Sequence, residues 1–73
     1  MKTNLIVLGG GESGVGAAYL ANKNGMNVFL SEINIIENSY KKILIDNGIE
    51  FEEGKHSLNK ILKANEIIKS PGI

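Results

Sequence analysis

The chain has 73 residues, eight basic and eight acidic side chains, one histidine and no cysteine; 42% of it is hydrophobic but only 5% aromatic. A chain this short makes one small domain, buries only about 60% of the surface its unfolded form exposes, and must build its core from Ile, Leu, Val and Ala. Zero net charge removes the electrostatic argument for nucleic acid or an anionic membrane surface, and the missing cysteines exclude a disulfide framework or thiolate metal centre and suit a reducing cytoplasm.

Met1-Lys2-Thr3-Asn4 leads into the apolar run Leu5-Ile6-Val7-Leu8. That run is too short for a signal peptide or a membrane span, so the chain is expected to be soluble and cytoplasmic. It reads instead as a strand buried on both faces. Gly9, Gly11 and Gly14 follow it at the Gly-x-Gly-x-x-Gly spacing. In such a turn the first glycine lets the chain turn tightly, the second lets a diphosphate approach bare backbone, and the third lets the helix pack on the strand. The unpaired N–H groups and positive dipole end of a helix starting near Ser13 then face the anion.

That helix runs to about Asn24, with Gly14, Ala17, Ala18 and Ala21 forming a smooth face toward a sheet and Val15 and Leu20 adding apolar bulk. Gly16 within it costs up to about 1 kcal/mol relative to alanine and points to close packing or close ligand approach. Asn24-Gly25 reads as a left-handed cap. Val28, Phe29 and Leu30 form a second buried strand ending at Ser31 and Glu32, an acid placed about 20 residues beyond the glycine turn as a nucleotide crevice requires.

A second helix is predicted from about Ile36 to Asn47, with Ile36, Tyr40, Ile43 and Leu44 on one buried face. Ile49 to Glu53 alternates apolar and acidic as a half-exposed edge strand, with Glu52 and Glu53 on opposite faces as solvated charges. His56 is expected to be a loop residue rather than a metal ligand. Ser57 is the expected N-cap of a short helix in which Leu58, Ile61 and Leu62 share a face. The last strand spans Glu66 to Lys69, buries Ile67 and Ile68, and runs into Ser70-Pro71-Gly72-Ile73.

Four strands alternating with three helices predict a Rossmann-like, three-layer α/β fold: a four-stranded parallel sheet in the order 3-2-1-4 with right-handed crossovers, truncated before a further strand. Winding reverses between the first and fourth strands, so Gly9 to Gly14 and Ser70 to Gly72 are expected to border one crevice, with Glu32 on its flank. The fourth strand is then an unprotected edge, through which weak self-association is expected.

The stretches GGGESGVGAAYLANKNGMNVFLSE and EGKHSLNKILKANEIIKSPGI together resemble the N-terminal domain of the Mur ligases over nearly the whole chain. The specific parts are the Gly-x-Gly-x-Ser-Gly form of the first turn and the closing Ser-Pro-Gly-Ile. The resemblance implies a site for the uridine diphosphate part of a sugar-linked precursor, UDP-N-acetylmuramoyl-L-alanine. Gly11, Glu12 and Ser13 would offer donors to the diphosphate, Glu32 would contact the uridine, and Ser70, Pro71 and Gly72 would complete the uridine side. Glu32 is one methylene longer than the family's usual aspartate, and Ile33 cannot supply a side-chain hydrogen bond. The Glu12 side chain is expected to face solvent, since a carboxylate would repel the diphosphate.

The reaction implied is amide-bond formation, in which ATP phosphorylates the precursor's carboxylate and the amine of D-glutamate attacks the acyl phosphate. It needs magnesium and a Gly-x-x-x-x-Gly-Lys-Ser/Thr loop, which the family carries in a central domain. Gly54-Lys55-His56 is no such loop, because Ile49 stands where its first glycine belongs. Residues 1–73 are therefore expected to be an N-terminal domain without the central ATP-binding and C-terminal domains, holding no catalytic residue and no metal, and inactive alone. Two other readings remain open: an NAD(P)- or flavin-binding domain of an oxidoreductase, with Glu32 on the adenosine ribose, and a small nucleotide-sensing module. Ser70-Pro71-Gly72 favours the ligase.

Overall fold

In the computed structural model, which describes residues 4–69, the apolar runs Leu5–Leu8, Val28–Leu30 and Ile67–Ile68 each cross a sheet once. The elements are β1 (Asn4–Leu8), α1 (Glu12–Lys23), β2 (Asn27–Glu32), α2 (Asn38–Asp46), β3 (Glu50–Glu53), α3 (Leu58–Leu62) and β4 (Glu66–Lys69). The strands pair in parallel in the order β3-β2-β1-β4, as the alternation of strand and helix predicts. Leu8 stands level with Ser31 on one side and Lys69 on the other, and Glu32 with Glu53, so these strand ends share the carboxyl edge.

Side chains alternate across a strand. Leu5 and Val7 of β1 and Val28 and Leu30 of β2 therefore point one way, onto Val15, Ala18 and Ala21 of α1 and Leu44 of α2. Ala18 is fully buried, which lets α1 lie close on the sheet. Ile36 lies before α2 rather than in it, yet is buried, and Ile49 closes the same core just ahead of β3. Phe29, of opposite parity, lies on the other face under Lys60 of α3, whose Nζ is 4.4 Å from the ring centre.

Five packing expectations are corrected. Leu58 and Leu62 are exposed, because α3 has five residues and buries none of them. Ile67 and Ile68 are 51% and 40% exposed, since β4 has only β1 beside it among the described residues and α3 is too short to cover it. Ile43 turns outward on α2, and Leu20 outward on α1. Gly16 is not closely packed, one of its two expected roles: a Cβ there would meet no atom within 4 Å. Gly16→Ala is accordingly expected to stabilise the chain by about 0.5–1 kcal/mol, raising the thermal midpoint by roughly 4–8 °C per kcal/mol. Thermal unfolding followed by circular dichroism reads this directly.

Candidate functional site

The turn after β1 is built as the glycine spacing demands, with one addition. Gly9 sits at φ 121°, a conformation that side chains disfavour, and its N–H extends the β1–β2 ladder to the Ser31 carbonyl at 2.8 Å. Gly10, between the motif glycines, has the tightest surroundings. A Cβ there would lie 2.9 Å from Ile36 Cγ1 and 3.1 Å from Glu32 Cβ. Gly11 is the N-cap of α1 and faces open space, with nothing within 4 Å of a Cβ position. The helix begins at Glu12, one residue before the predicted Ser13, and both of these residues are exposed while Gly14 is buried. The first N–H groups of α1 have no intrahelical acceptors and so form a donor-rich, positive pole beside Gly11.

Glu32, the last residue of β2, reaches back to this turn. Its carboxylate accepts the Gly10 N–H at 2.6 Å and the Asn34 N–H at 2.8 Å, tying the glycine turn to the loop after β2. An ionised carboxylate has about four acceptor positions, so capacity remains for a ligand. Beside it lies a crevice of about 90 Å³ lined by Leu8, Gly9, Glu32, Ile33, His56 and Lys69. Larger clefts of about 470 Å³ between α1 and α2 and about 270 Å³ at the amino edge contain none of Gly9, Gly11 or Glu32; Glu12 borders the former.

The structure thus brings Gly9 and Glu32 together and places Gly11, Ser13 and Gly14 at the adjoining helix start. Ser70, Pro71 and Gly72 lie outside the described residues. Gly10, His56 and Lys69 escaped the sequence reading as site residues. The signal for His56 was topological: in a parallel sheet of this winding, the loops after β1, β2 and β3 all emerge at the carboxyl edge.

Glu52 and Glu53 do lie on opposite faces, but they are not simply solvated. Glu52 accepts the Ser31 hydroxyl at 2.7 Å, the Ser57 N–H at 2.7 Å and the Ser57 hydroxyl at 2.5 Å. Ser57 therefore holds the N-cap position of α3 without capping it by its side chain. Glu53 pairs with Lys41 of α2 at 2.7 Å and accepts the Ile36 N–H at 2.7 Å. Burial pushes the Glu52 carboxyl up, but the Ser57 and Ser31 hydrogen bonds outweigh it and hold the group below its ordinary value. The Lys41 and Ile36 donors do the same for Glu53. Both contributions to stability are complete above the unfolded-state carboxylate value and vanish as pH falls through the lower folded-state values. The urea midpoint is expected to drop below about pH 4, and Glu52→Gln to flatten that drop.

The fold and the turn define a Rossmann-like α/β domain whose carboxyl edge carries an open glycine turn. The sequence model of the MurD N-terminal domain family matches residues 4–73, and the chain belongs to that family. Among curated relatives, the UDP-N-acetylmuramoylalanine--D-glutamate ligase of Porphyromonas gingivalis is 52% identical and that of Christiangramia forsetii 49% identical, each over all 73 residues. The enzyme of the same name from Bacteroides fragilis is 49% identical over 69 residues, 94% of this chain. The chain spans 16% of the length of each of these relatives. Among the described residues, no helix is long and apolar enough to cross a membrane.

Proposed function

We propose that this chain is the uridine-diphosphate-binding N-terminal domain of an ATP-dependent ligase of the cytoplasm that adds D-glutamate to UDP-N-acetylmuramoyl-L-alanine in peptidoglycan synthesis. The observation that carries this reading is the open backbone at Gly11 beside the bare first turn of α1, placed where the winding of the sheet reverses. Gly11, Glu12 and Ser13 offer backbone donors to the diphosphate, Gly9 and Gly14 shape the turn, and Glu32 faces the uridine. Ser70, Pro71 and Gly72, outside the described residues, complete the uridine side. ATP and magnesium belong to a central domain of the parent enzyme. The chain itself lacks a Gly-x-x-x-x-Gly-Lys-Ser/Thr loop and carries no reaction alone.

The test is a titration of the isotopically labelled chain with UDP and, separately, with NADH. UDP is expected to shift the amides of Gly9 to Gly14 and of Glu32 and to bind in preference to NADH. Gly11→Ala is expected to weaken UDP by at least about tenfold, because its methyl group projects where the phosphates approach, at a stability cost of about 1 kcal/mol or less. Preference for NADH, with shifts centred on Glu32, would replace the ligase reading by an oxidoreductase one.

The same reading includes weak self-association through the outer edge of β4, where Ile67 and Ile68 are exposed. Sedimentation velocity across a concentration series is expected to show it, and a clean monomer at high concentration would remove it.

A further inference from the structure

Ser31 is the one fully buried polar residue of the described core, and its hydroxyl is claimed from three sides. Glu52 Oε2 lies 2.7 Å away, His56 Nδ1 2.6 Å away, and the Lys55 carbonyl oxygen 3.3 Å away. A serine hydroxyl has one proton to give. An ionised carboxylate only accepts, and its charge makes it the strongest claimant, so the proton goes to Glu52. The Ser57 and Ser31 hydrogen bonds, which hold the Glu52 carboxyl below its ordinary value, keep that carboxylate ionised. His56 must then donate through Nδ1 to the Ser31 oxygen, because two lone pairs cannot face each other at 2.6 Å. In the neutral ring the other nitrogen, Nε2, is left as an acceptor.

His56 is also one of the six residues that line the crevice at the carboxyl edge. On the uridine diphosphate reading, a diphosphate on the helix pole at Gly11 would lay the nucleoside across the end of β2, where the crevice opens between Glu32, Ile33, His56 and Lys69. A nucleobase entering it would meet an imidazole, a carboxylate and an ammonium group on the crevice wall. Ile33, half of whose surface is exposed, supplies an apolar wall for such a ring.

We propose that His56 is a base-reading residue of the crevice: held by the Ser31–Glu52 pair in the Nδ1–H form, it presents Nε2 as an acceptor to the imide N–H of uracil and rejects cytosine, which has an acceptor at that position. Ser31 and Glu52 are positioning residues that act through the ring. This rests on the uridine diphosphate reading of the same edge, and deepens it by naming what selects the base.

The chain contains a single histidine, so its imidazole nitrogen resonances are unambiguous. At about pH 8.5, above the ordinary imidazole range, the free chain is expected to show a protonated Nδ1 and a bare Nε2. UDP is expected to bind about tenfold tighter than CDP, since the wrong base leaves a desolvated acceptor unpaired. His56→Leu is expected to bring that ratio to about one, and Ser31→Ala to narrow it while shifting the imidazole toward the Nε2–H form. An Nε2–H tautomer in the unsubstituted chain, or a UDP-to-CDP ratio unaltered in His56→Leu, would overturn the proposal while leaving the uridine diphosphate site intact. Absence of binding by both UDP and inorganic pyrophosphate would instead overturn the site itself, and base reading with it.

Discussion

Gly10→Ala is expected to destabilise the chain by about 1–3 kcal/mol, although Gly10 is not one of the three glycines of the motif. Its methyl carbon would lie 2.9 Å from Ile36 Cγ1, against the 3.5–4.0 Å at which carbon atoms attract. Ile36 cannot step aside, because it is 1% exposed and boxed by the core. Glu32 cannot either without stretching the 2.6 Å hydrogen bond by which its carboxylate holds the Gly10 N–H. The strain therefore falls on the glycine turn, and UDP binding is expected to weaken along with stability. Urea unfolding of Gly10→Ala beside Gly11→Ala separates the two effects: the first loses stability and affinity together, the second chiefly affinity. An unchanged midpoint in Gly10→Ala would contradict the packing of the turn on Ile36.

Leu30→Ala is expected to cost more, about 2–5 kcal/mol. Leu30 is inaccessible to solvent at the middle of β2, an inner strand that touches both β1 and β3, and belongs to the one core cluster on the α1–α2 side. Removing three carbons leaves a void that neighbours on a hydrogen-bonded strand cannot close. A chain of this size has little stability to spare, and much of the population is expected to unfold at 37 °C. Leu20→Ala is the control. Leu20 is 63% exposed on α1, and its replacement is expected to stay within about 0.5 kcal/mol. Circular dichroism melts of the two variants side by side check both statements, and equal losses would mean that the core is not where the structure places it.

The order of residues alone carries the alternation of strands and helices, the parallel 3-2-1-4 sheet, the glycine turn after β1 and the acid at the end of β2. These are local matters: a hydrophobic period of 2 or 3.6, a cap glycine after an asparagine, and the handedness that L-residues impose on a crossover. The depth of burial at β4 is not a local matter. Ile67 and Ile68 look like core residues in sequence, but their exposure depends on what lies over an edge strand, and five-residue α3 does not reach.

Side-chain partnerships at the carboxyl edge needed the assembled sheet. Glu32 meets the Gly10 N–H because strand pairing brings residues 22 apart in the chain to one edge. Ser31, Glu52 and His56 meet because β2 and β3 pair with Ser31 level with Glu52, and the loop after β3 folds back over both. Neither contact leaves a trace in spacing or composition. A hydrogen bond depends on tenths of an ångström and on which of several acceptors wins a single proton, and those are settled only when strands distant in sequence are laid side by side.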